Sequence, residues 1–174
     1  GNLENPGWLE SELSACNKKF RIVSMHQSPF SFNWHWKDWY NRGYGPSLLE
    51  RKRELVDLFK RNGVQVVFSG HDHIFQRNVL WFEGDDQNEK DNIQFIVSSG
   101  GGTTIRTPNS AGKREKLRSM YAEDGYDVTH DMHVSAYHYT VVAIDPERMT
   151  IKTIGVPENH PEAKYQIDEV IITE

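Results

Sequence analysis

Cysteine is nearly absent from this 174-residue chain: Cys16 stands alone, so no internal disulfide can staple the fold and no Cys-x-x-Cys pair is there to hold zinc or cycle electrons. No apolar run approaches the roughly 18 residues that a membrane-spanning helix needs. The opening GNLENPG also lacks the basic-then-apolar pattern of an export signal. Charge of one sign is not in excess either. With 20 Lys and Arg against 25 Asp and Glu, the net charge is −5, which removes the electrostatic reason to expect nucleic acid or a membrane surface as partner. Repeats and low-complexity tracts are missing too. What remains is an ordinary globular composition with five tryptophans to pack, and it predicts one soluble domain over residues 1–174.

Periodicity then organises the chain. Asn5 before Pro6 marks a helix start, and Trp8, Leu9, Leu13 and Cys16 recur at helical spacing, predicting a short helix to about Asn17. Residues 20–25, FRIVSM, read as a buried strand that delivers His26 to its C-terminal end. Ser47 and Glu50 form a capping box for a helix whose apolar face is Leu48, Leu55, Val56 and Phe59, and which Gly63 closes. Residues 64–68, VQVVF, read as a second buried strand, followed by His71 and His73. Strand, helix, strand predicts a βαβ unit, in which parallel strands end on one edge of the sheet. His26 is therefore expected beside His71 and His73. Further on, NVLWF and IQFIVSS predict strands joined by an acidic loop, residues 104–133 read as a polar insert or loop, YHYTVVAI and MTIKTI flank a DPER hairpin turn, and IDEVIIT reads as a last strand.

Ligands of an open α/β sheet bind at the carboxyl ends of its strands, and neutral imidazole is the commonest protein metal ligand. Three imidazoles delivered to that edge point to a metal site, with His26, His71 and His73 as ligands. Ser69 and Gly70 would let the chain turn so that both rings of the pair face inward. Asp72, between two ligands, reads either as an acceptor that orients one ring or as a turn residue. The stretch FSFNWHWKDWYNRGYG puts three tryptophans within six residues, hard to bury in one loop, so Phe32, Asn33, Trp34 and Trp36 are expected in the wall of a substrate pocket. His130, His133, His138 and His160 read as ordinary surface or strand residues.

VVFSGHDHIFQR resembles the Gly-His-x-His signature of the calcineurin-like metallophosphoesterases. RIVSMHQSPFSFNWHW is similar to the stretch of purple acid phosphatases in which a histidine, Ser-Pro, aromatics, Asn and a second histidine follow in order. The resemblance runs from about Trp8 to Thr103. It implies an α/β fold, part of the four-layer α/β/β/α sandwich of that superfamily, with this chain as the C-terminal half: a mixed sheet with flanking helices. It implies hydrolysis of a phosphoric ester at a dinuclear centre of divalent or trivalent iron, zinc or manganese, where paired ions activate water and clamp the phosphoryl oxygens. His26 and His71 would bind one ion and His73 the other. His35 would be the catalytic histidine, binding phosphate oxygens or protonating the leaving alkoxide. A location outside the cytoplasm follows from the same likeness.

Several neutral imidazoles neither neutralise nor bridge two metal ions, so anionic oxygen ligands are needed. The family carries them in Asp-x-His, Gly-Asp-x-x-Asp and Gly-Asn-His motifs that precede the region matched. Asp131-Met132-His133, Gly84-Asp85 and Gly1-Asn2 spell fragments of these, but none follows an apolar strand and opens a helix, and their order is reversed. The expectation is a chain inactive by itself, whose partners are a phosphate ester and an N-terminal half of the same protein, with an apolar face that favours self-association. Two rivals stand beside it: a mononuclear zinc hydrolase held by His26, His71 and His73, and a non-catalytic interaction module that keeps the sheet.

Overall fold

The computed structural model describes residues 6–40, 48–83 and 90–173. Three helices, α1 (Pro6–Ala15), α2 (Leu48–Arg61) and α3 (Ala111–Glu123), accompany strands β1 (Ile22–Met25), β2 (Val66–Ser69), β3 (Phe75–Glu83), β4 (Lys90–Ser98), β5 (Asp127–Val134), β6 (His138–Ile144), β7 (Arg148–Gly155) and β8 (Tyr165–Thr173). Helix α2 buries Leu55, Val56, Leu58 and Phe59 as its periodicity demands. Gly63 ends it at φ +58, with Val64 N–H donating to Phe59 O at 3.0 Å and Gly63 N–H to Lys60 O at 3.1 Å, a Schellman closure that only glycine adopts without strain. The Ser47 half of the predicted capping box lies outside the described residues, as do Asn5, Gly1-Asn2 and Gly84-Asp85.

Strands β1, β2 and β4 run parallel, and β3 lies antiparallel between β4 and β5, giving a mixed sheet in the order β1-β2-β4-β3-β5. Strands β6, β7 and β8 form a second, antiparallel sheet. Alternation along each strand decides what each face meets. Val67 and Phe95 turn to the helices, packing with Phe59, Leu117 and Tyr121, while their neighbours Val66 and Ile96 turn the other way to meet Met149 and Ile151 of β7. The result is helices, mixed sheet and second sheet in three layers, the mixed α/β class with flanking helices that the sequence implied. The second helical layer of the full sandwich is not among the described residues. Arg77 clamps the two sheets, its Nε donating to Asp168 of β8 at 2.7 Å.

Two expectations need correction. Strand β1 is not buried: Ile22 is 37% exposed and Ser24 is exposed as well, because β1 is the edge of its sheet and its face away from the helices opens into a cleft. Residues 104–133 are not a loop: they hold α3 and most of β5. Helix α3 hides among polar residues because it buries only Leu117 and Tyr121. Alternation along β5 is broken where Arg77 pairs with Met132 but Asn78 with His130, which leaves Asp131 as the extra residue of a bulge.

His130 and His133 do lie on a strand, but they are not ordinary. His130 stacks on Phe32 with ring centroids 4.8 Å apart, its Nδ1 lies 2.6 Å from Asn78 Oδ1 and its Nε2 2.9 Å from His133 Nδ1. The amide oxygen only accepts, so Nδ1 carries the proton and Nε2 accepts from His133. A second proton on His130 would break that chain. Burial, with smaller pushes from His133 and Arg114, takes its pKa down to about 3. Below the unfolded value of about 6.5 the unfolded chain gains a proton that the folded one refuses, so stability falls as pH drops from about 6.5 towards 3, by up to about 1.4 kcal/mol per pH unit for this group. Urea unfolding at pH 7, 6 and 5 is expected to show this slope, and a His130→Gln variant to flatten it; an equal slope in both would show that His130 is not the group responsible.

Candidate metal centre

Parallel pairing of Met25 with Ser69 places the residues that follow side by side, and Gly70 N–H donates to His26 O at 3.0 Å. The chain then makes two successive three-residue turns. Asp72 N–H donates to Gly70 O at 2.8 Å around His71, whose φ is +69, and Ile74 N–H donates to Asp72 O at 2.7 Å around His73. A positive φ makes the first of these the rare, strained hand of the γ-turn, and His71 is the one non-glycine residue among those described that takes it. Turns of opposite hand send the two imidazoles to different neighbours. The His71 ring lies 4.8 Å from that of His26 and 3.7 Å from that of His35. His73 Nδ1 lies instead 3.2 Å from Thr104 O and 3.3 Å from Thr103 Oγ1. Thus the backbone freedom expected of Gly70 is exercised by His71 itself.

His35 arrives from a short 3₁₀ helix, Trp34–Trp39. With three residues per turn, positions 35 and 38 eclipse. Asp38 Oδ2 accordingly sits 2.9 Å from His35 Nδ1 and 3.1 Å from His71 Nε2. The donor atoms of His35, Asp38 and His71 all lie within 4.8 Å of one another, each side chain about a quarter exposed. Asp38 was missed in the sequence; its signal was the His-x-x-Asp spacing, which has meaning only once the aromatic loop is read as a 3₁₀ turn. Burial holds the His71 imidazole below its usual pKa, His35 adds to that, Asp38 pulls the other way and His26 pushes slightly down. At neutral pH the ring is therefore uncharged, the form that binds metal.

Both ends of this loop are tied. Asp72, 2% exposed, accepts from the Ser31 hydroxyl and from His35 N–H at 3.3 Å. Both contacts pin the start of the loop. At the other end Tyr40 Oη donates to Asp124 Oδ2 at 2.5 Å and receives a hydrogen bond from Lys52 Nζ at 3.1 Å. Lys52 is wholly buried beneath Phe30, Tyr40, Tyr121 and Tyr126, and burial lowers its pKa to about 7.

The predicted pocket wall separates into three environments. Phe32 and Asn33 are core residues, at 1% exposure each: Gln76 Oε1 takes the Phe32 N–H at 3.0 Å, Asn33 Oδ1 takes the Asn109 N–H at 3.1 Å, and the segment is drawn inward. Trp36 is half-buried against the helix-side core. Trp34 alone is open, its indole N–H donating to Thr107 O at 3.3 Å. A cleft of about 750 Å³ lies between the sheets and is lined by His26, Ser69, Gly70, Ser98, Thr140 and Val142 among others.

No protein-family profile matches the chain, and no curated protein matches it in sequence. Solved structures do share its fold. The purple acid phosphatase PPD1 from yellow lupin (Lupinus luteus) seeds superposes with a TM-score of 0.62 at 12% identity, over 98% of this chain and 28% of that one. GAP50, described as the anchor in the inner membrane complex of Plasmodium, superposes with a TM-score of 0.53 at 17% identity, over 92% of this chain and 40% of its own. The chain thus has a purple-acid-phosphatase-like fold and spans less than half the length of either neighbour. Among the described residues, no helix is long and apolar enough to cross a membrane.

Strain at His71 has a measurable cost. A positive φ that a side chain rarely adopts costs on the order of 1 kcal/mol and costs glycine nothing. His71→Gly is therefore expected to raise unfolding stability by about 0.5–1 kcal/mol, read by urea denaturation. A variant less stable than the parent would show that the ring's contacts outweigh the backbone strain.

Proposed function

We propose that the chain forms part of a metal-dependent phosphoric ester hydrolase, with the histidine rim as its share of a dinuclear centre. The observation that carries this reading is the convergence of His26 and His71 at adjacent parallel strand ends, rings 4.8 Å apart, beside a cleft between two sheets, in a fold like that of a phosphatase.

The donors suit such ions. His73 gives its Nδ1 proton to Thr104 O, which leaves the Nε2 lone pair for a ligand, as metal-binding imidazoles are commonly arranged. His26 and His71 would hold one ion and His73 the other. Further anionic donors for the second ion come from outside these 174 residues, so the chain by itself turns over slowly or not at all. When bound, the ions would activate water and offset charge on the phosphoryl oxygens. His35, its ring 3.7 Å from that of His71, would face the substrate, and its proton would go to the leaving alkoxide. The likeness in fold to a purple acid phosphatase favours a location outside the cytoplasm.

In the full-length natural protein loaded with zinc or manganese, p-nitrophenyl phosphate is expected to be hydrolysed. His71→Gly should lower kcat/KM by at least about 100-fold, since about 3 kcal/mol of transition-state stabilisation depends on a correctly held ion. Undiminished turnover in that variant would count decisively against the reading.

A further inference from the structure

The donors gathered most closely are not the three histidines of the hydrolase reading. They are His35, Asp38 and His71, with one carboxylate oxygen 2.9 Å from the first imidazole and 3.1 Å from the second. Two imidazoles and a carboxylate form a borderline donor set, suited to zinc or another divalent transition ion rather than to magnesium or calcium, which take oxygen ligands. Three protein ligands leave at least one position open, and side-chain exposures of 24–28% leave a way in for solvent.

We propose that His35, Asp38 and His71 bind a single divalent transition-metal ion without donors from any other chain. The carboxylate meets the requirement that neutral imidazoles leave unmet, an anionic oxygen to offset the ion's charge. The set is built rather than incidental. The 3₁₀ turn eclipses His35 and Asp38, a strained turn brings His71 to face them, and buried Asp72 fixes the loop through the His35 amide. Binding needs a small change: each neutral ring takes the tautomer whose proton sits on the nitrogen facing away from Asp38, which frees His35 Nδ1 and His71 Nε2, and three donor atoms already near one another close around the ion. The assignment makes His35 a ligand instead of a substrate-facing group, which is where it departs from the hydrolase reading; it concerns the same rim but does not depend on that reading.

Calorimetric titration of the 174-residue chain with zinc, in a buffer that does not chelate it, is the test. One zinc per chain is expected. Asp38→Asn and His35→Gln should each weaken binding by at least about tenfold, the least that even a residue behind the ligands commonly costs, with the circular dichroism spectrum of the parent retained. His73→Ala should bind within about twofold of the parent, well inside that range. No zinc uptake by the parent chain, or parent-like affinity in Asp38→Asn, overturns the assignment. If His26→Ala and His73→Ala weaken binding while Asp38→Asn does not, the hydrolase donor set stands and this one falls. If Asp38→Asn weakens zinc while the full-length protein shows no phosphatase activity, this site stands and the hydrolase reading falls.

Discussion

A four-residue parallel ladder, Ile22 with Val66 through Met25 with Ser69, is the constraint on which the candidate centre depends. Its two strands are separated by 40 residues of sequence that include the 3₁₀ turn and α2, and the ladder alone fixes which residue of one meets which of the other. Since side chains alternate with a period of two, a slip of one residue would turn Val67 away from the helices and Val66 away from β7. Both layers of packing thus enforce the register that puts His26 next to Gly70. The centre inherits its precision from apolar contacts on the two strands that lead to it.

The rest of the site hangs on polar ties to that frame. A loop with Trp34 exposed and Trp39 buried would have little reason to hold one shape by apolar packing alone. Asp72 anchors its start and the Tyr40–Asp124–Lys52 cluster its end. Burying an ammonium beneath four rings is costly even when it is hydrogen-bonded and the rings face it; Lys52 has both partners, and burial still lowers its pKa to about 7. The same cluster joins α2, the 3₁₀ turn and the end of α3, tying the helix layer to the loop that carries His35 and Asp38.

Much of this was legible in the chain. Period-two and period-3.6 patterns are local, so β2, α2 and the β6–β7 hairpin could be read directly, and parallel strands with a crossover predicted the meeting of His26 and His71. What stayed hidden was set by long-range or short-period effects. The β1 strand looked buried because its apolar content matches that of β2; only the order of strands reveals that it is an edge. The helix α3 and strand β5 carry too few apolar residues, and one bulge too many, for periodicity to show them. Phe32 and Asn33 looked like a pocket wall because nothing nearby in sequence tells of Gln76 and Asn109 pulling them inward.

His71 and His73 meet different neighbours. Two histidines flanking one residue in an extended segment would project to the same side. Successive three-residue turns of opposite hand replace the extended geometry, and φ +69 at His71 is the price in backbone energy. Strain of this kind persists only where surrounding contacts over-determine it. Here the hydrogen bond of Gly70 to His26, the buried Asp72 carboxylate and the Asp38 contact all hold the turn in place. A fold that needed only to be stable would place glycine at position 71. Retaining an imidazole there, uncharged through burial and facing a carboxylate, makes physical sense where the ring has something to bind.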